Sequence, residues 1–471
     1  MMGFATVPVL TLPEVARLAA GDLVARAVPP TPGEREAFLR SGVDGVSIDT
    51  RTLVPGQLFV PLPGGNTDGH RFIVEAFRKG AALALCEHRA YGAFEGREPG
   101  PLVLVDDATA ALQRLARRYR EGWPGLMIAV TGSSGKTTTK DLVAAVLASA
   151  SPTLKTEGNL NNHWGVPLTL LGLRAEHRSA VVEVAMNHPG EIAFLATLVK
   201  PDAAIITNAG SAHLEGFGSL EAIAAEKASL AAALPAGRPV FAGADSPRLI
   251  AALQAMKARL VSYGFAGGAS LRLESYTNLG PEGSRFTVQG FPPVQLRLIG
   301  RHQVQNALAA LAVAREYAID PAAAVAALER ERPAKGRMEV RTVSGATLLV
   351  DCYNANPDST RAALETLAEW PRASRRIAVL GDMLELGARA AALHRETGAL
   401  VKDAALWVVG AHAGDYAAGA GRAGVETRVF TDKAALAQAL RPALTPDTVV
   451  LLKASRGATL EEVLEHLSET R

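Results

Sequence analysis

The sequence predicts an α/β protein of three domains built on largely parallel sheets. Three observations lead there. Short β-branched runs alternate with Ala/Leu-rich amphipathic runs along the chain. The chain has 471 residues, enough for about three domains. Hydrophobic residues are 48% and charged residues 20%, which supplies sizeable cores and excludes disorder as the main state. No repeat period of a solenoid or propeller is visible.

Composition also narrows the function. Lys plus Arg number 49 and Asp plus Glu 47, a net charge of +2. That balance argues against a nucleic-acid binder, which concentrates basic residues. No apolar run reaches the ~18–20 residues of a spanning helix. The N-terminus lacks a basic start followed by a long apolar stretch. No stable membrane insertion and a cytoplasmic location are therefore expected. Cys86 and Cys352 lie far apart in apolar, strand-like runs. They fit a reducing compartment and exclude a disulfide framework or a cysteine zinc site.

The first segment, 1–106, mixes strands at 57–60, 82–85 and 102–105 with a helix over 72–79 that stops at Gly80. A helix over 108–120 leads into the breaker cluster Gly122-Trp123-Pro124-Gly125. The second segment, 107–335, has strands at 126–130, 180–185, 203–207 and 238–241. A helix over 137–148 follows the first of these. Residues 259–299 read as an antiparallel insert, and helices follow at 304–317 and 321–328. The third segment, 336–471, begins after Pro333-Ala334-Lys335-Gly336-Arg337, where a hinge is expected. Its strands at 347–350, 377–380, 406–409 and 449–452 read as an open Rossmann-like sheet. It has no G-x-G-x-x-G after its first strand, so no dinucleotide is assigned to it.

The strongest chemical signal is Thr131-Gly132-Ser133-Ser134-Gly135-Lys136-Thr137-Thr138, between a strand and a helix. Glycines let backbone N–H groups turn toward a polyphosphate, and the helix start adds positive potential. Lys136 reaches the β- and γ-phosphates, and the Thr137 hydroxyl suits Mg²⁺. The common loop has a further glycine where this chain has Val130.

Other candidates carry alternatives. Glu183 in an apolar strand needs a partner, which is either Mg²⁺ near a nucleotide or water at a sheet edge. His213, on a loop after a strand, is a metal or substrate contact or a solvated residue. Lys227 lies in an alanine-rich helix, where its residue pattern favours a solvent-facing side chain. The amide-dense Lys155 to Asn162 is a polar turn or a recognition loop. His302 and Asn306 share a helix face and either receive a purine or cap and pack. Three further polar clusters, at Asp351 to Pro357, Gly381 to Glu385 and Lys453 to Gly457, all follow strands of the third segment.

Together these residues resemble the Mur ligases, the ATP-dependent ligases that add amino acids to the peptidoglycan precursor. The loop 131–138 looks like their phosphate loop, including the missing glycine. The stretches Gly158-Asn159-Leu160-Asn161-Asn162, Asn187-His188-Pro189-Gly190-Glu191-Ile192, His213-Leu214-Glu215-Gly216-Phe217-Gly218 and Tyr353-Asn354-Ala355-Asn356-Pro357 are nearest to members joining D-alanyl-D-alanine to UDP-N-acetylmuramoyl-tripeptide. The resemblance spans nearly the whole chain. It is weakest in the first 45 residues and in 240–295.

The resemblance implies a small N-terminal α/β domain for the UDP-sugar, a central P-loop ATPase-like domain for ATP, and a C-terminal Rossmann-like domain that closes over the nucleotide. It implies that Ser47, Thr50 and Arg51 contact the uridine diphosphate. Gly132, Ser133, Ser134, Gly135, Lys136, Thr137 and Thr138 would cradle ATP, with His302 and Asn306 at adenine, Arg337 at the phosphates and Asp351 at the ribose. Thr137 and Glu183 would hold one Mg²⁺, and His213 with a carbamylated Lys227 a second; Lys136, Glu183, His213 and Lys227 would be catalytic. Asn159, Asn161, Asn162, Asn187, His188, Tyr353, Asn354 and Asn356 would serve the peptide substrates. A monomer is expected.

The implied reaction is phosphorylation of the terminal carboxylate of the UDP-linked tripeptide by ATP, then attack by the amine of D-alanyl-D-alanine. It is a step of cell-wall construction, and so of cell shape and division. Two departures stand out: Lys227-Ala228-Ser229 where members often have Lys-Gly-Glu, and Glu183-Val184-Ala185 where they have Glu-x-Gly. Another amide ligase of the same architecture, such as a folylpolyglutamate synthase, and a non-catalytic nucleotide switch remain as alternatives.

Overall fold

The computed structural model describes residues 10–25, 36, 38, 40–64, 67–212 and 214–468. Strands alternate with helices throughout, forming three sheets.

The N-terminal sheet has five strands: β1 Asp22–Val24, β2 Val46–Ser47, β3 Leu58–Phe59, β4 Leu83–Glu87 and β5 Leu102–Val105. Their order is β1-β5-β4-β3-β2. Only the β1–β5 pair is antiparallel. β4 and β5 are buried along their whole length, as expected of strands covered on both faces. Phe59, Ile73, Ala76, Cys86 and Leu102 form the core beneath. A helix over Leu12–Ala19, absent from the sequence expectation, precedes the sheet. Its signal was present: the Glu14 carboxylate accepts from the Thr11 N–H and hydroxyl at 2.9 and 2.8 Å. That is the glutamate half of a capping box.

The central sheet comprises β6 Leu126–Thr131, β7 Thr153–Lys155, β8 Ser179–Glu183, β9 Ala203–Ile206, β10 Pro239–Gly243, β11 Arg259–Gly264, β12 Leu271–Asn278, β13 Ser284–Val288 and β14 Val294–Leu296. The order is β14-β13-β12-β11-β10-β9-β6-β8-β7. The expected antiparallel insert over 259–299 needs correction. β11 pairs in parallel with both β10 and β12, and antiparallel pairing starts only at β12–β13. β11 is exposed at Arg259, half-buried over 260–262 and buried only at Tyr263 and Gly264, and such partial burial mimics a hairpin strand.

The C-terminal sheet has β15 Glu339–Val343, β16 Ala346–Asp351, β17 Arg375–Leu380, β18 Ala405–Val409, β19 Thr427–Phe430 and β20 Thr448–Lys453. Its order is β15-β16-β20-β17-β18-β19, parallel except for the β15–β16 edge. The two edge strands β15 and β19 are more polar and were missed for that reason. Leu348, Val350, Ile377, Trp407, Val450 and Leu452 make the core.

By contact the chain divides into two compact units. The first comprises Met1–Ala129, Ser151–Ala185 and Ala193–Asp202; the second comprises Val130–Ala150, Met186–Ile192 and Ala203–Arg471. Among the described residues no helix is long and apolar enough to cross a membrane.

Candidate active site

The phosphate loop belongs to the second unit. β6 ends at Thr131, and the helix Lys136–Ala148 starts immediately after Gly135. Gly135 is its N-cap at φ 77°, and no side chain caps it. A Cβ on Gly132, at φ 152°, would lie 1.8 Å from Thr207 Oγ1; one on Gly135 would lie 2.5 Å from Asn306 Oδ1. Both positions therefore require glycine. Helix geometry leaves the first-turn amides of Lys136, Thr137 and Thr138 without intrahelical acceptors. An uncapped helix start of this kind accepts anionic oxygens. Lys136 Nζ donates to the Gly132 carbonyl at 2.9 Å, folding over the loop.

Two residues that the sequence reading passed over support this loop. Asn208 Oδ1 accepts from the Ser133 and Ser134 N–H groups at 3.2 and 3.0 Å. Thr207 Oγ1 donates to the Ser134 carbonyl at 2.6 Å. The amides of Ser133 and Ser134 are thus engaged by Asn208. The signal was legible only as polar residues following an apolar strand. Asn306 is buried beneath the same turn. Its Oδ1 accepts from Thr139 Oγ1 at 3.2 Å, and its Nδ2 donates to Gln303 Oε1 at 2.9 Å. Gln303, also passed over, lines a small pocket with Thr138, Asp141, Pro333 and Arg337. His302 Nδ1 is buried and has no hydrogen-bond partner among the described residues. Burial lowers the His302 pKa to about 4, so the imidazole is neutral at pH 7.

Lys227 corrects the solvent-facing expectation that its residue pattern gave. It is 1% exposed, in the helix Leu220–Ala232. Its Nζ meets the Met186 sulfur at 3.7 Å. Burial holds the amine well below the usual lysine range, and the positive Lys136 pushes the same way while Glu226 opposes. The Glu226 carboxylate meanwhile accepts from the Gly190 and Ile192 N–H groups, both at 3.0 Å. Asn187 and His188 in that loop are exposed, and their N–H groups donate to Glu191. His213 lies outside the described residues.

In the C-terminal segment, Arg337 Nη2 donates to Thr137 Oγ1 at 3.1 Å, and its guanidinium lies 4.0 Å from the Tyr353 ring centroid. Asp351 accepts from Lys453 Nζ at 2.7 Å and from the Met338 N–H at 3.2 Å. Lys453 is buried and also donates to the Asn354 carbonyl at 2.9 Å. The Asn354 side chain accepts from the Ala355 N–H. Asn356 caps the helix Pro357–Ala368, accepting from the Ser359 N–H at 2.8 Å.

In the first unit, Glu183 is 1% exposed at the end of β8. Its Oε1 accepts from Asn161 Nδ2 at 2.8 Å, while Oε2 is buried without a partner among the described residues. This corrects the water-facing alternative. An unpartnered buried carboxylate oxygen costs free energy unless a cation or donor meets it, so Glu183 fits a metal. Asn162 Oδ1 accepts from the Trp164 and Gly165 N–H groups, holding the start of the helix Gly165–Leu171. Asn159 is exposed. Ser47 donates to the Asp49 carbonyl at 3.0 Å, and the Thr50 carbonyl accepts from Lys79. Arg51 forks onto the Asp49 carboxylate at 2.6–3.0 Å and lowers its pKa. Among the described residues no cluster of three or more His, Cys, Asp or Glu side chains forms a ready metal site.

Three family models match the chain: the Mur ligase family catalytic domain over 42–120, the Mur ligase middle domain over 130–314, and the glutamate ligase domain of Mur ligases over 336–456. A Bacillus subtilis UDP-N-acetylmuramoyl-tripeptide–D-alanyl-D-alanine ligase is 36% identical, covering 91% of this chain and 94% of its own. The Escherichia coli enzyme of that name is 38% identical with the same coverage. A MurF crystal structure from Acinetobacter baumannii superposes with a TM-score of 0.84 at 29% identity, over 98% of this chain and 99% of its own. A Thermotoga maritima MurF in complex with ADP gives 0.79 at 28% identity, over 90% and 97%. A Mycobacterium tuberculosis folylpolyglutamate synthase, at 18% identity and TM-score 0.60, shares the fold. With relatives above 30% identity along nearly its full length and a phosphate loop built from its own strand–turn–helix, the chain belongs to the Mur ligase family.

Proposed function

We propose that the chain joins D-alanyl-D-alanine to UDP-N-acetylmuramoyl-tripeptide at the expense of ATP, a step of peptidoglycan precursor synthesis in the cytoplasm. The observation that supports this most is its likeness, over nine-tenths of its length, to ligases of that name. The uncapped helix start at Gly135 supplies the place for ATP.

A tripeptide carboxylate oxygen attacks the γ-phosphorus, the bond to the β-phosphate oxygen breaks, and ADP leaves. The dipeptide amine then attacks the acyl carbon, the tetrahedral adduct collapses, and phosphate departs with the amine having lost a proton. Lys136 and the Lys136–Thr138 amides offset charge on the transferring phosphoryl group. Arg337, held against Thr137 and the Tyr353 ring, adds a second cation beside the loop. His302 and Asn306 are proposed for the adenine and Asp351 for the ribose. Mg²⁺ supplies neutralisation of the phosphate oxygens when bound. Thr137 and Glu183 are proposed to hold one ion, and His213 with carbamylated Lys227 another. The Glu183 oxygen without a partner supports the first assignment, and the buried amine of Lys227 supports the second. Asn161 fixes the Glu183 carboxylate. Ser47, Thr50 and Arg51 are proposed for the UDP end.

The test is an acceptor panel with UDP-N-acetylmuramoyl-tripeptide and ATP. ADP release is expected to require D-alanyl-D-alanine. Equal turnover with single D-amino acids or L-glutamate, or hydrolysis needing no acceptor, overturns the reading.

A further inference from the structure

We propose that Asp358 is a positioning residue that clamps the loop 208–211 onto the phosphate loop, so that the phosphate site is complete only when the C-terminal segment is seated. This rests on the ligase reading above. Asp358 lies in the first turn of the helix Pro357–Ala368. Its Oδ2 accepts two hydrogen bonds from Ser211, from the N–H at 2.7 Å and from the hydroxyl at 2.8 Å. Bonds to an ionised carboxylate are the strong kind, and two donors on one oxygen fix direction as well as distance. Ser211 is buried.

The approach is so close that the loop needs glycine next to it. A Cβ on Gly210 would lie 2.2 Å from Asp358 Oδ2. On its other side the same loop is tied to the phosphate loop. The Gly210 N–H donates to Ser133 Oγ at 2.8 Å, and that hydroxyl donates to the Gly210 carbonyl at 3.0 Å. The Ser133 N–H donates to the Asn208 carbonyl at 3.1 Å. The Asp358–Ser211 hydrogen bonds and the Gly210–Ser133 hydrogen bonds are thus joined through the Gly210–Ser211 peptide bond into one connected path. It runs from a helix after the Pro333–Arg337 linker to the residue two before Gly135. Arg337 reaches Thr137 directly and is proposed for the phosphates; Asp358 acts through Ser211 and the adjoining Gly210.

The experiment pairs hydrogen exchange with steady-state kinetics on the full-length protein. In Asp358→Ala, the Gly210 and Ser211 amides should exchange at least tenfold faster. The kcat for ADP release should fall ten- to a hundredfold, with ADP affinity within threefold and the thermal midpoint little changed. Asp358→Asn keeps an acceptor oxygen and should recover at least half of the lost logarithm of rate. Gly210→Ala should reproduce the Asp358→Ala defect, and the double variant should be no slower than either alone. Unchanged exchange in Asp358→Ala, a kcat within twofold of the parent, or additive effects in the double variant would each overturn the proposal. If the parent itself fails to release ADP with its substrates, the ligase reading falls, while exchange in the variants still decides whether the clamp exists.

Discussion

Lys136 and Lys227 are both lysines on helices of the second unit, yet their surroundings differ in kind. Lys136 opens its helix, beside first-turn N–H groups that seek an anion, and its charge is useful there. Lys227 sits mid-helix, 1% exposed, with a thioether as its recorded neighbour, where a charge is costly. The same side chain thus meets a setting that favours its charge in one place and one that disfavours it in the other, where burial holds the amine well below the usual lysine range. The difference teaches that position along a helix is readable from sequence, whereas the polarity of what faces a side chain is not.

The largest effect should come from breaking the first half of this contrast. Lys136→Ala is expected to lower kcat/KM by ~10²–10³-fold, the scale of losing one preorganised charge-stabilising donor. Its thermal midpoint should stay near that of the parent. Normal turnover in this variant would remove the phosphate-loop assignment.

Lys227 sharpens the other half. The carbamate proposed for it would form by addition of CO₂ to the uncharged form of the amine, with one proton released, and would be an anion suited to Mg²⁺. With ¹³C-bicarbonate, a carbamate carbon signal should appear in the parent and be missing in Lys227→Ala. Activity of that variant should fall about 100-fold, as for loss of a group that holds a metal. A fully active Lys227→Ala with no carbamate signal in the parent would refute the modification.

A smaller change is expected at Asn161, whose amide donates to Glu183. Asn161→Ala should cost about tenfold in activity, the lower end for a residue that orients a metal ligand. The loss should ease as Mg²⁺ is raised. A loss indifferent to Mg²⁺ would separate Asn161 from the metal role.

The smallest effect on rate, and a clear one on stability, concerns His302. Its pKa of about 4 in the fold lies below the ~6.5 of a free histidine. Between those values the unfolded chain binds more protons, so stability rises with pH across the window. The contribution, about 3 kcal/mol, is complete above pH ~6.5 and lost below the folded value. His302→Gln should flatten that slope in thermal melts. An unchanged slope would show that His302 is not the group responsible.

Much of the fold was legible. The apolar runs at Leu126, Ala203 and Ile377 became strands buried over most of their length because strands covered on both faces need no polar alternation. The polar edges β15 and β19 escaped notice, since an edge strand faces water and carries no such run. At the site, the loop 131–138 was readable because its chemistry is contiguous. Asn208 was not, because its partners lie 74–75 residues away along the chain. Several asparagines expected to meet substrate also have work within the fold: Asn162 and Asn356 hold helix starts.

The sequence by itself determined the α/β alternation, the strand–glycine–lysine–helix phosphate loop and the family likeness, all of which depend on neighbours along the chain. Tertiary structure decided which charges are exposed. It buried Lys227 and Lys453, left one oxygen of Glu183 without a partner among the described residues and brought Asp358 to Ser211 across 147 residues of chain. Desolvation and hydrogen bonding depend on what surrounds a group in space, and folding brings together groups that the linear order keeps far apart.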